Sequence, residues 1–82
     1  MYPFYVKETF DFNYYKVISA TEGLKVGPNI IEIAPKEIHK IVNWEKKGRP
    51  LYIDLVKITS DQFYEQFTVV QKEINKNLIF KK

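Results

Sequence analysis

The side chains of this chain that could carry chemistry are few and scattered: one histidine, His39, two serines, Ser19 and Ser60, ten carboxylates and no cysteine. His39 lies in a helical pattern, and its neighbours three and four residues away are Pro35, Lys36, Val42 and Asn43. No carboxylate or second imidazole therefore stands at ligand or triad spacing. Ser19 and Ser60 lack the turn context of an activated nucleophile, and Ser60 sits where a helix cap is needed. Glu8 with Asp11, Glu32 with Glu37, and Asp54 are the carboxylates that would have to converge to make an acid and base pair. Gly23, Gly27 and Gly48 match no phosphate-cradling motif, and the absence of cysteine excludes thiolate chemistry and sulfur-ligated zinc. The expectation is a protein that is not an enzyme and uses neither cofactor nor metal.

Two features could instead support binding. Lys36, Lys40, Asn43 and Lys47 recur on one face of a helical segment that Arg49 follows, and Trp44 stands on its flank. Cations with phosphate reach beside a stacking ring are what nucleic-acid surfaces use. The second feature is aromatic: Tyr2, Phe4, Tyr5, Phe10, Phe12, Tyr14 and Tyr15 place seven rings in the first fifteen residues. That exceeds what one sheet face can bury, and surplus Tyr is a frequent interface residue. Tyr2, Tyr5, Tyr14 and Trp44 are accordingly the candidates for contact with a protein partner. Lys36, Lys40, Asn43, Lys47 and Arg49 are the candidates for the alternative, an RNA or DNA partner.

The elements that must position these groups follow from punctuation and period. Pro35 suits a first helical position and Gly48 a residue just past a helix end, while Ile38, Ile41, Val42 and the stem of Glu45 form one inward stripe between them. Tyr2–Thr9 and Phe10–Ala20 read as strands, the second with Phe10, Phe12 and Tyr14 on one face. A short extended piece at Leu24–Val26, bounded by Thr21-Glu22-Gly23 and Gly27-Pro28-Asn29, leads to a strand at Ile30–Ile33. Leu51–Thr59 is apolar on both faces around Asp54, which predicts a central strand. Thr59 with Gln62 matches a capping box, and Phe63, Phe67, Val70 and Ile74 continue a helical stripe over about Ser60–Lys76. A hairpin across Asn75-Lys76-Asn77 is the alternative there, because Thr68, Val69 and Val70 are β-branched. Leu78–Phe80 closes the pattern as a short strand, with Lys81-Lys82 frayed beyond it.

The predicted order is β-β-(β)β-α-β-α-β: an α+β domain with a small mixed sheet of four to five strands and two helices packed on it, the strands flanking the first helix running parallel. Eighty-two residues leave room for one domain, and 45% hydrophobic with 16% aromatic content is too rich for a disordered chain. The net charge of +3 is uneven, with residues 1–34 net acidic and residues 35–59 carrying most of the excess. No apolar run approaches a membrane span, and the start MYPFYVKE resembles neither a signal peptide nor an anchor, so a cytoplasmic location is expected. The Lys, Asn and Ile richness with a single Arg suggests an AT-rich genome; small binders of this composition are frequent among phage-encoded host regulators and inhibitors, a compositional analogy. The function expected is engagement of a macromolecular partner, primarily a protein, with self-association as a homodimer included.

Overall fold

The structure is a computed structural model that describes residues 2–47 and 55–80, with side chains described for 2–46 and 55–76. Five strands and two helices follow in the order β1 (Phe4–Glu8), β2 (Tyr14–Val17), β3 (Gly23–Gly27), β4 (Ile30–Ile33), α1 (Pro35–Lys47), β5 (Leu55–Ile58) and α2 (Ser60–Phe80). The strands form one sheet in the order β4-β3-β2-β1-β5. The α+β class, the strand number and the two helices match the expectation from sequence. Expected helix bounds of 35–47 and the Ile30–Ile33 strand are reproduced as well.

Every ladder is antiparallel, where a mixed sheet was expected. Physical reasons lie in the connections. The links β1–β2, β2–β3 and β3–β4 hold two to five residues each, too few for a parallel crossover. The tightest is Pro28-Asn29, where Pro28 presets the turn and Asn29 takes a left-handed backbone (φ 61°) that a short polar side chain tolerates. β4 and β5 do run in the same direction, but they occupy opposite edges with three strands between them. The 13 residues of α1 extend about 20 Å, close to four inter-strand spacings, so the connection can cross the sheet and deliver β5 to the free edge of β1. That placement also corrects the central position expected for the segment around Asp54: β5 is an edge strand. Asp54 and Leu51–Ile53 lie outside the described residues, as do Gly48, Arg49, Pro50, Lys81 and Lys82.

The helices cover opposite faces. On one, Val6, Tyr15, Val17 and Leu55 pack against Ile38, Ile41 and Val42 of α1, with Phe4 and Trp44 at the margin. On the other, Val26 packs against Phe63 and Val70 of α2, joined by Tyr5, Tyr14, Ile31, Ile58, Phe67 and Ile74. Strand alternation sorts the sequence between these layers, so most strands carry apolar residues on both sides, while β4 stays largely exposed at the edge, with Ile33 at 74%. The capping box forms as expected. Thr59 N–H donates to Gln62 Oε1 at 2.9 Å, and Gln62 N–H donates to Thr59 Oγ1 at 3.1 Å. α2 then runs on to Phe80, so neither the hairpin nor the closing strand at Leu78–Phe80 forms. Asn75-Lys76-Asn77 contains neither Gly nor Pro, and without a breaker a helix already packed along its apolar stripe continues.

At Gly23, α1 and the sheet meet without room for a side chain. A Cβ there would land on the Lys16 carbonyl oxygen and on Ile38 Cδ1. Gly23→Ala is expected to destabilise the fold by about 1–3 kcal/mol through overpacking, measured by urea unfolding. An unchanged midpoint would contradict the close approach of Ile38 to this strand.

Candidate functional site

The segment Thr9–Asn13 does not continue a strand. It is the loop of the β1–β2 hairpin, and it carries Phe10 and Phe12 at 81% and 72% exposure, with exposed Asp11 between them. The expected strand start at Phe10 and the shared face of Phe10, Phe12 and Tyr14 are corrected here: pairing between β1 and β2 ends at Lys7↔Tyr14. Burying a Phe contributes roughly 1.5–3 kcal/mol, so two rings left in water represent a sizeable forgone gain.

Below the rings the hairpin neck is fastened. Glu8 is buried, and its carboxylate accepts hydrogen bonds from Asn13 Nδ2 and from the Tyr15 hydroxyl, both at 2.9 Å. The Glu8 backbone N–H also donates to the Asn13 carbonyl at 3.0 Å. A buried carboxylate costs stability unless donors surround it, so this pair of donors fixes the carboxylate and the carboxylate fixes the loop base. Gly27 makes room for the arrangement, since a Cβ there would stand 2.6 Å from Asn13 Oδ1. Burial, and then the Glu8 carboxylate that accepts its hydrogen bond, push the Tyr15 phenol well above its ordinary value, so it remains a donor throughout the usual pH range. Tyr15→Phe should therefore cost about 1–3 kcal/mol by leaving one Glu8 oxygen unpaired, read as a fall in the unfolding midpoint. A midpoint within error of the parent would mean that water replaces the phenol and that the neck is less enclosed than its geometry implies.

Of the residues singled out by sequence, Tyr5 and Tyr14 share the α2 face and Tyr14 borders the loop neck, whereas Tyr2 and Trp44 lie apart from them. Tyr2 is 44% exposed and stacks on Phe4, with ring centroids 5.8 Å apart. Tyr5 is half-buried beneath α2, its ring 5.4 Å from that of Phe63 and 6.1 Å from that of Tyr64. Tyr14 is half-buried on the same face, with Lys7 Nζ 5.6 Å from its ring centre. Trp44 lies on the other face, half-buried against the α1 cluster, with its indole nitrogen buried and without a hydrogen-bond partner among the described residues. On α1, Lys36 and Lys40 are exposed and Asn43 is half-buried. The Lys47 side chain and Arg49 lie outside the described residues. His39 is exposed, and among the described residues no group of three or more His, Cys, Asp or Glu could hold a metal ion.

A shallow groove of about 300 Å³ lies on the α2 side, lined by Lys7, Tyr14 and Ile58 of the sheet and by Gln62, Glu65, Gln66 and Val69 of the helix. Lys7 and Tyr14 are the last paired residues before the hairpin loop, so the groove borders the neck of the aromatic tip. Among the described helices none is long and apolar enough to cross a membrane. Phe10 and Phe12 were counted among the surplus rings but not chosen as contact residues, because their alternation with Asp11 imitates a strand. The available signal was Thr9 to Asn13 itself, where Asp11 separates the rings and Asn13 follows them, two residues that favour turns. No protein-family model, curated protein or solved structure matches this chain.

Proposed function

We propose that this protein is a non-enzymatic binding module that engages a protein partner by inserting the Phe10-Asp11-Phe12 tip into an apolar cleft. The observation that carries this reading is the exposure of both rings on a loop whose base is locked by Glu8, Asn13 and Tyr15. A pre-ordered loop loses little conformational freedom on docking, and aromatic side chains in a desolvated pocket supply most of the energy of a typical interface. Asp11 between the rings favours a cleft with a basic rim and gives orientation more than affinity. A module of this kind regulates or inhibits its partner by occupying a surface.

The second reading, nucleic-acid binding through α1, draws on the exposure of Lys36 and Lys40 one helical turn apart. A pull-down from host lysate with immobilised chain, with and without nuclease, separates the two. The tip reading expects a protein retained after nuclease treatment, kept by Lys36→Glu/Lys40→Glu and lost by Phe10→Ala/Phe12→Ala. Retention that follows the lysines and vanishes with nuclease would replace it with the nucleic-acid reading.

A further inference from the structure

The two sheet edges differ in how they are protected. β5 sets Val56, 47% exposed, beside Lys57, whose Nζ lies 2.6 Å from Glu45 of α1 and 5.4 Å from the Phe4 ring centre, so this edge offers one exposed apolar side chain next to a charge. β4 is Ile-Ile-Glu-Ile, with Ile33 at 74% and Ile30 at 39% exposure, and its one charge, Glu32, is turned toward Lys25 of the neighbouring strand at 3.8 Å. The Ala34 N–H donates to the Gly23 carbonyl at 3.4 Å. Antiparallel ladders alternate bonded and non-bonded pairs, so Lys25/Glu32 and Gly27/Ile30 are the bonded pairs. Ile31 and Ile33 then direct their N–H and C=O groups outward, away from β3.

We infer that this protein forms a two-fold symmetric dimer by antiparallel pairing of β4 with β4 of a second copy, Ile31 opposite Ile33, giving one ten-stranded sheet. The register follows from the side chains on the α2 face. Val26 pairs with Ile31 and Leu24 with Ile33 inside each chain. With Ile31 opposite the second copy's Ile33, the row Val26, Ile31 is continued by Ile33 and Leu24 of the second copy, and the symmetric row likewise. The occupant that supplies this continuation is the strand itself, since Ile-Ile-Glu-Ile is self-complementary when reversed about Glu32. The same symmetry places the two Glu32 side chains opposite one another, each with Lys25 behind it. Opposed like charges at an exposed pair cost less than the burial of two isoleucines gains, so the apolar rows set the register. An alternative register centred on Ile31 separates the glutamates but sets Ile33 against the Pro28-Asn29 turn. Isologous dimers of this kind close on themselves and leave no further edge at β4. The dimer is independent of the tip reading, and it presents one hairpin tip per chain.

Light scattering and sedimentation from low micromolar to millimolar concentration test the inference. Dimer is expected to accumulate with concentration. Ile33→Lys and Ile33→Pro should each weaken it at least tenfold, because one adds charge to the apolar row and the other deletes an outward N–H that the monomer does not use. Glu32→Gln should tighten it about two- to five-fold by removing the opposed charges. Amide exchange of the parent chain provides a readout free of folding defects: the Ile31 and Ile33 amides should gain protection as concentration rises. A chain monomeric at millimolar concentration, a dimer indifferent to both Ile33 substitutions, or edge amides whose exchange is independent of concentration would each overturn the inference.

Discussion

Phe63→Ala is expected to cost about 3–5 kcal/mol, the largest stability effect of any single truncation considered for this chain. Phe63 is fully buried, and its ring centroid lies 5.4 Å from Tyr5, 5.1 Å from Tyr64 and 6.2 Å from Phe67. Its removal opens a cavity between α2 and the sheet that neither rigid layer can close, so transfer and cavity terms add. A domain of this size has roughly 4–12 kcal/mol of total stability, so the variant would lose from about a quarter of it to all of it. Urea titration should show a lower midpoint with an unchanged slope. Phe67, half-buried on the next turn of the same stripe, should cost clearly less. A Phe63→Ala loss below that of Phe67→Ala would show that α2 is rotated from the orientation described.

The same chemical change at the hairpin tip should produce the opposite pattern. Phe10→Ala and Phe12→Ala remove rings that are 81% and 72% exposed, so stability should move by no more than about 0.5 kcal/mol. Binding should fall instead: a hot-spot aromatic contributes about 2 kcal/mol or more, roughly 30-fold in affinity for each ring. The double variant therefore loses partner binding under conditions where its unfolding curve overlays the parent's. Isothermal titration with the retained partner, read beside urea unfolding, measures both quantities. If the double variant unfolds early while binding normally, the rings belong to the fold and the tip reading fails.

Much of the architecture was legible because local signals agreed with one another. Pro35, the Ile38/Ile41/Val42 stripe and the Thr59–Gln62 box placed both helix starts, and Gly27-Pro28-Asn29 placed the turn before Ile30. What was not legible depended on which strand finds which. Nothing local distinguishes β5 beside β4 from β5 beside β1, since both strands offer a free edge; the reach of α1 allows the second. The end of α2 was misread for a related reason, since Leu78–Phe80 suits a strand in composition but has no breaker before it. Of the candidate site, Tyr2, Tyr5 and Tyr14 were chosen as surplus rings and Trp44 for its place on the flank of α1, and the structure distributes them over both faces of the sheet. The exposed pair, Phe10 and Phe12, was concealed because a turn written Phe-Asp-Phe carries the same period of two as a half-buried strand.

The proposed contact between the hairpin tip and a protein partner has one direct test. Replacing Phe10 or Phe12, one at a time, by the photoreactive analogue benzoylphenylalanine keeps an aromatic side chain at the tip and converts contact into a covalent bond on illumination. The tip reading predicts a cross-linked adduct with the retained protein from positions 10 and 12 and none from the same analogue at Lys40 on α1. Adducts from position 40 with none from the tip would contradict it.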